Sequence, residues 1–193
     1  MLSQLRPALV MTGLFTLVLG LAYPLAVTGL AQGVFPAQAN GSLVRSADGA
    51  IQGSSLIAQP FAEARYLHPR PSAAGDGYNA AGSSGSNLGP LNPDLAERVK
   101  TDADAIRADT GATVIPADAV TASGSGLDPD ISPAYARLQA SRVATARGLT
   151  AAQVQGVIDN NTTGALLGFI GQPRVNVLMT NRALDALMPA PAA

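Results

Sequence analysis

An α+β domain held outside the cytoplasm by one N-terminal transmembrane helix is the fold class this sequence predicts. Three observations lead there. Residues 8–31 form an uncharged apolar run, ALVMTGLFTLVLGLAYPLAVTGLA. The chain beyond it mixes a few strand-like stretches with several capped helical segments. Positive charge near the run is placed asymmetrically, with Arg6 and the amino terminus on the short side and Arg45 the nearest cation on the long side. That asymmetry puts the N-terminus in the cytoplasm and the C-terminal domain in the periplasm, in a single-pass topology across a plasma membrane. The division expected is an anchor over residues 1–36 and an α+β domain over 37–193.

The anchor follows from length. A helix over residues 8–31 would span ~36 Å, enough for a ~30 Å hydrocarbon core with some tilt. A secretory signal is the alternative, and Ala37-Gln38-Ala39 resembles a cleavage site, but the apolar part of a signal is only ~7–15 residues. Pro24 should kink the helix. Thr12, Thr16 and Gly20 lie at i, i+4 and i+8, and Gly29 and Gly33 form a GxxxG pair. Small residues at that spacing let two helix backbones approach closely, so this face is read as packing on other membrane helices. The plainer account is that Gly and Thr are common in membrane helices.

The domain elements are read in order. Residues 42–46 and 50–52 flank Ala47-Asp48-Gly49, a good hairpin turn, and 55–58 read as a continuation of the second strand. Pro69 to Pro93 is rich in Gly, Ser, Asn and Pro and reads as a long loop. A loop of that length in a compact domain is usually functional. Asn92 caps a helix with Pro93 at its first position, running to Thr110 and stopping at Gly111. Leu95, Val99 and Ile106 give it an apolar stripe. Residues 112–115 read as a short strand, and 121–130 as a second Gly/Ser loop. Ser132-Pro133 starts a helix that ends at Gly148. Thr150 starts another, with Gln153 completing a capping box and Leu149 stapling onto Val154. Residues 174–179 alternate like a strand, and Thr180 or Asn181 caps a last short helix.

Composition removes much chemistry. The 193 residues are 47% apolar, and 12 basic against 13 acidic residues leave a net charge of −1, which argues against nucleic-acid binding. There is no Cys, and His68 is the only His. Thiol catalysis, Cys-ligated zinc and multi-His metal sites are therefore excluded. Lys100 is the only Lys and sits within a helix, so there is no Walker A loop, and no Asp-Lys-Thr-Gly phosphorylation site occurs. The loops Gly82-Ser-Ser-Gly-Ser86 and Ser123-Gly-Ser-Gly126 offer backbone donors to an anion, but neither is a Gly-x-Ser-x-Gly nucleophile elbow. Asp102, Asp104 and Asp109 share a helix with Lys100 and Arg107 and read as a solvated face. Arg137, Arg142 and Arg147 are five apart, which turns by ~140° per step and makes no single basic stripe. No metal is expected. What remains is an accessory or binding subunit without a catalytic group, set against a membrane-anchored hydrolase using a loop Ser with His68 or a carboxylate as base.

Several ordered segments carry a resemblance. They are Gly53-Ser-Ser-Leu-Ile-Ala-Gln59; Arg70-Pro-Ser72 with Tyr78-Asn79; Gly85-Ser-Asn-Leu-Gly-Pro-Leu-Asn-Pro93; Val120-Thr-Ala-Ser-Gly-Ser-Gly-Leu-Asp-Pro129 with Ile131-Ser132; Arg142-Val-Ala with Ala146-Arg147; and Gly171-Gln-Pro-Arg-Val-Asn-Val-Leu178 with Asn181 and Ala183-Leu-Asp185. Together they resemble the C subunit (KdpC) family of the bacterial potassium-transporting P-type ATPase, over nearly the whole chain. The resemblance implies an accessory role in potassium transport at the bacterial inner membrane. The implied partners are a channel-like potassium-translocating subunit, a P-type catalytic subunit and a small membrane peptide, beside membrane lipid. It also implies a catalytic chaperone that raises the catalytic subunit's affinity for ATP, with nucleotide binding carried to Gln139, Arg142, Ser123 and Ser125. Partner contacts are expected at Thr12, Thr16 and Gly20 and at Asn79, Ser86, Asn87 and Asn92. The chain departs from the family pattern at Ala58, where Gly is usual, at Asp130, where His or Asn is, and at Ser141, often Pro. One conflict stands: ATP is cytoplasmic, whereas the charge reading puts the domain outside. Topology decides the placement, and the ATP mechanism stays open.

Overall fold

The computed structural model describes residues 2–187; the last six residues of the expected domain lie outside the described residues. The chain separates into two compact units, one up to Gln52 and one from Gly53.

The first unit is mostly one apolar helix. α1 (Leu5–Leu17) and α2 (Tyr23–Val34) are joined without a break by a π-helical turn at Val18–Ala22. The helix is therefore longer than the run of residues 8–31, at 30 residues, or about 45 Å. Pro24 accounts for the π turn. It has no N–H to offer the carbonyl four residues back and its ring crowds that carbonyl, so the preceding turn widens. The Tyr23 N–H reaches Val18 O instead. The disturbance expected at Pro24 thus takes the form of one wide turn. No described residue of α1, the π turn or α2 is buried, and the helix is apolar enough to cross a membrane. A short α3 (Pro36–Ala39) follows. Then β1 (Leu43–Arg45) pairs with β2 (Ile51–Ser54). The Asp48-Gly49 turn forms as expected, with Ser46 N–H donating to Ala50 O at 2.9 Å. β2 does not run on through residues 55–58: the chain turns at Ser54, whose carbonyl accepts from Ile57 N–H, and Ala58 N–H bonds to Leu127 O.

The second unit is built on α5 (Pro133–Arg147), which packs on α4 (Pro93–Thr110) and α6 (Ala151–Asn160), while α7 (Val177–Leu187) packs on α6. The ends of these helices obey local rules. Asn92 and Ser132 accept from the backbone N–H groups of Asp94 and Tyr135, and Thr150 forms the full capping box with Gln153. Left-handed Gly111 and Gly148 stop α4 and α5. A small antiparallel sheet has the order β3 (Asp130–Ile131), β5 (Arg174–Asn176), β4 (Thr162–Thr163). Ile131 and Thr162 both face Val175 across it. One core holds Leu67, Ile131, Tyr135, Val143, Val154, Ile158, Val175 and Leu184. Leu149 packs against that core, of which Val154 is a member.

Three expectations fail here. Residues 112–115 are not a strand; Val114 is exposed, and Pro116 follows directly. β5 ends at Asn176 rather than at Met179, because the Asn176 side chain accepts from Met179 N–H at 3.1 Å and starts α7. Thr180 and Asn181 are consequently inside α7 and cap nothing. Thr180 donates back to Asn176 O, and Asn181 is used elsewhere.

Candidate functional site

The segment 64–68, a turn followed by irregular chain, is gripped by side chains from two helices. On α7, Asn181 accepts from Leu67 N–H at 2.8 Å and donates to Leu67 O at 3.0 Å. On α5, Gln139 does the same for His68, at 2.7 and 3.1 Å. Each amide thus pairs with both backbone groups of one residue, as a neighbouring strand would. Arg142 donates through Nη1 to Ala64 O and Tyr66 O and through Nη2 to Gln139 Oε1, and its Nε pairs with Asp109 on α4 at 3.2 Å. Arg147 donates to Arg65 O and pairs with Asp185 at 2.8 Å, lying over the Tyr66 ring. Gln139 is 3% exposed and Asn181 1%. Buried amides without partners would cost about 1–3 kcal/mol per group, so this complete pairing is what permits their burial.

Burial shapes the titration of this clamp. It lowers the pKa of Arg142, and Asp109 opposes that shift. It lowers the pKa of His68 too, with the Arg142 charge adding to the effect. Tyr135, deep in the core on α5, is pushed up to about 12.

The two Gly/Ser loops form a second constellation by closing on each other. Arg70 pairs with Asp128 at 2.8 Å and donates to Thr121 O. Ser72 donates to Gly126 O and accepts from Ala74 N–H and Tyr78 N–H. Ser84 N–H and the Ser83 hydroxyl both reach Ser125 O. Gly126 has φ +66°, and a Cβ there would lie 2.7 Å from Ala74 N and Ser84 O, so only glycine fits. These contacts account for why both loops carry Gly and Ser.

The residues expected to bind nucleotide divide between these two places. Gln139 and Arg142 are in the clamp. Gln139 has donor and acceptor occupied, and every nitrogen of the Arg142 guanidinium has a partner. Ser123 and Ser125 are in the loop pair, with their hydroxyls 3.4 Å apart and Ser125 Oγ accepting from Leu127 N–H. As folded, the four residues lie in two separate hydrogen-bonded groups, each tied to the chain's own backbone. A cavity of about 360 Å³ adjoins Arg142, lined also by Asp109, Leu138 and Ser141, and Asp109 makes it unwelcoming to phosphate. A larger one, about 520 Å³, is bordered by Arg70, Asp118, Asp128, Asp130 and Arg174. Its charges pair with each other or, for Asp118, with Ser132. Among the described residues no group of three or more His, Asp or Glu could hold a metal.

The expected contact residues are placed as follows. Thr12, Thr16 and Gly20 are exposed on the apolar helix. Asn79 is exposed and caps a 3₁₀ turn at Ala80–Gly82. Ser86 is half-buried, Asn87 is exposed with φ +53°, and Asn92 caps α4. Sequence reasoning missed Asn181, Arg147 and Asp185 as members of the clamp. The available signal was a polar residue, Asn181, flanked at helical spacing by Val177, Leu178 and Leu184.

These features define a class: a mixed helix-and-sheet domain that follows an apolar helix able to span a membrane, with its buried polar side chains bonded to its own backbone. Comparison makes it specific. The family described as K+-transporting ATPase, c chain, matches residues 5–186. The potassium-transporting ATPase KdpC subunit of Caulobacter sp. (strain K31) is 71% identical over 98% of this chain and 97% of that protein. The subunit of the same name from Beijerinckia indica is 61% identical over 98% and 96%, and that from Gemmatimonas aurantiaca 56% over 97% and 94%. The chain belongs to the KdpC family of potassium-transporting ATPase subunits.

Proposed function

We propose that this chain is a non-catalytic subunit of an ATP-driven potassium uptake pump, anchored in the inner membrane with its folded domain in the periplasm, and that it acts by holding partner subunits together. The observation that carries this is the clamp. The polar residues most suggestive of chemistry are engaged in positioning segment 64–68, so they serve a rigid surface rather than a reaction. The partners are the channel-like, P-type catalytic and small peptide subunits that the family implies. The helix offers Thr12, Thr16 and Gly20 to partner helices, and the loop pair offers Asn79, Asn87 and their neighbours. Any effect on ATP affinity is transmitted through such contacts. A periplasmic domain does not meet cytoplasmic ATP, and Gln139 and most of the Arg142 guanidinium are engaged with the chain's own groups. A membrane-anchored hydrolase is not favoured: the His68 ring bonds to Glu63 O, and the hydroxyls of Ser83, Ser84 and Ser125 have partners within the loop pair.

Deleting the chain tests the role: potassium uptake should fall with no soluble hydrolase activity lost, and unchanged uptake would overturn it. The side of the membrane is read with one cysteine, unique because the chain has none. Val114→Cys is a good handle, at 82% exposed. It should react with an impermeant thiol reagent in intact spheroplasts. Reaction only after lysis would put the domain inside.

A further inference from the structure

The connection between β4 and β5 is the most apolar exposed surface of the second unit. Leu166, Leu167, Phe169 and Ile170 are 66, 77, 77 and 49% exposed. No charge occurs from Asn160 to Pro173, and no polar side chain from Gly164 to Gly171. The tip is a closed turn. Leu166 and Ile170 exchange backbone hydrogen bonds, both 2.9 Å, Gly168 N–H reaches Ala165 O, and Phe169 N–H reaches Leu166 O. Left-handed backbone at Leu167 and Gly168, φ +54° and +82°, turns the chain there. The side chains point outward because the turn's own bonds hold them out.

We infer that this tip inserts into the interfacial layer of the lipid bilayer and forms a second, shallow membrane contact. Three features choose lipid. Backbone N–H groups are costly in hydrocarbon unless bonded, and those of Leu166, Gly168, Phe169 and Ile170 are bonded within the turn. Polar side chains, Thr162 and Thr163 on one side and Gln172 and Arg174 on the other, begin only at the base of the turn, where an apolar tip dipping into a bilayer would meet the headgroups. A bilayer is also within reach, given that the helix of the same chain spans one. Only residues 35–52 separate that helix from the second unit, a tether of at most about 65 Å when fully extended. Tethering supplies a high local concentration, so a few apolar side chains suffice for contact. With no cation at the tip, the contact does not depend on anionic lipid and is insensitive to salt.

The chain has no Trp, so Phe169→Trp gives a single fluorophore at an exposed position that tolerates it. The full chain carrying it is reconstituted into phosphatidylcholine vesicles, and flotation confirms insertion of the anchor. Its emission should be blue-shifted and quenched by lipid brominated near the glycerol end of the acyl chain, equally at low and high salt. Val114→Trp, on another exposed loop, should stay red and unquenched. Red, unquenched emission from Phe169→Trp in chains that float overturns the inference, and so does equal quenching at both positions. If the tip is unquenched in vesicles and becomes shielded only in the assembled pump, its occupant is a protein and the lipid contact is wrong. Chains that fail to float overturn the tether itself.

Discussion

Two long helices of this molecule differ in a way their composition does not announce. The anchor, Leu5–Val34, is far more apolar than α5, yet no described residue of it is buried. α5 carries Gln139, Arg142 and Arg147, yet it is the hub of the core, burying Tyr135, Ala136, Gln139, Ala140, Val143, Ala144 and Arg147. The difference lies in where the partners come from. α5 finds its partners within the chain, down to a backbone group for each buried amide atom. The anchor buries none of its described residues; on the proposed function, its apolar surface and its Thr12, Thr16, Gly20 stripe take partners outside the chain, lipid or other helices.

Breaking the inner partnership should have the largest effect. Asn181→Leu keeps the side chain's branching and heavy-atom count, though with bulkier methyl groups, and leaves Leu67 N–H and C=O buried without partners, at about 1–3 kcal/mol each. The domain's melting temperature should drop by several degrees, about 2–4 °C for each kcal/mol at this size of domain. Gln139→Ala should destabilise less, since His68 is half-buried and water can replace part of the lost bonding. In the assembled pump this variant should leave the KM for ATP unchanged. A raised KM with a normal melting curve would return Gln139 to nucleotide binding.

Next in size is the rim of the loop pair. Asn92→Ala removes the α4 cap and should cost about 1 kcal/mol, whereas Asn87→Ala, on an exposed side chain, should be nearly neutral in melting. Together they should lower potassium-stimulated ATP hydrolysis by the pump if the loop contacts partners. Normal hydrolysis would make the loop a connector only.

The smallest effect is that of pH. His68 has its pKa below the ordinary 6.5 through burial and the nearby Arg142, partly opposed by Glu63 O and Asp109. Below 6.5 the unfolded chain therefore binds a proton that the folded chain resists. The stability contribution is complete above that value and declines as pH falls towards the folded-state pKa. Melting measured across this window should be less pH-dependent in His68→Gln than in the wild type; equal slopes would remove His68 from the account of acid sensitivity.

How much of this was legible in sequence depends on the range of the interaction. The caps at Asn92, Ser132 and Thr150 and the stops at Gly111 and Gly148 were readable, because each is decided within about four residues. The long apolar helix was readable from its uncharged length, although its π turn shows only with the backbone. The clamp was not readable: Asn181 meets Leu67 across 114 positions and Gln139 meets His68 across 71, with no local pattern to mark either. Asn181 therefore looked like a cap. The strand expected at residues 112–115 was a propensity without a neighbour. Ser123 and Ser125 looked like an anion cradle because the facing loop that occupies the Ser125 carbonyl is some forty residues away.

The outward partnership of the anchor is tested most directly by affinity purification of the full chain from gently solubilised membranes, wild type beside Thr16→Leu with Gly20→Leu. The double variant keeps the helix apolar and closes off only the small-residue face. We expect the wild-type chain to bring down a P-type ATPase catalytic subunit, and the variant to insert normally, melt normally and lose most of that partner. Equal recovery with both chains, or a wild-type chain that comes off the membrane alone, would contradict it.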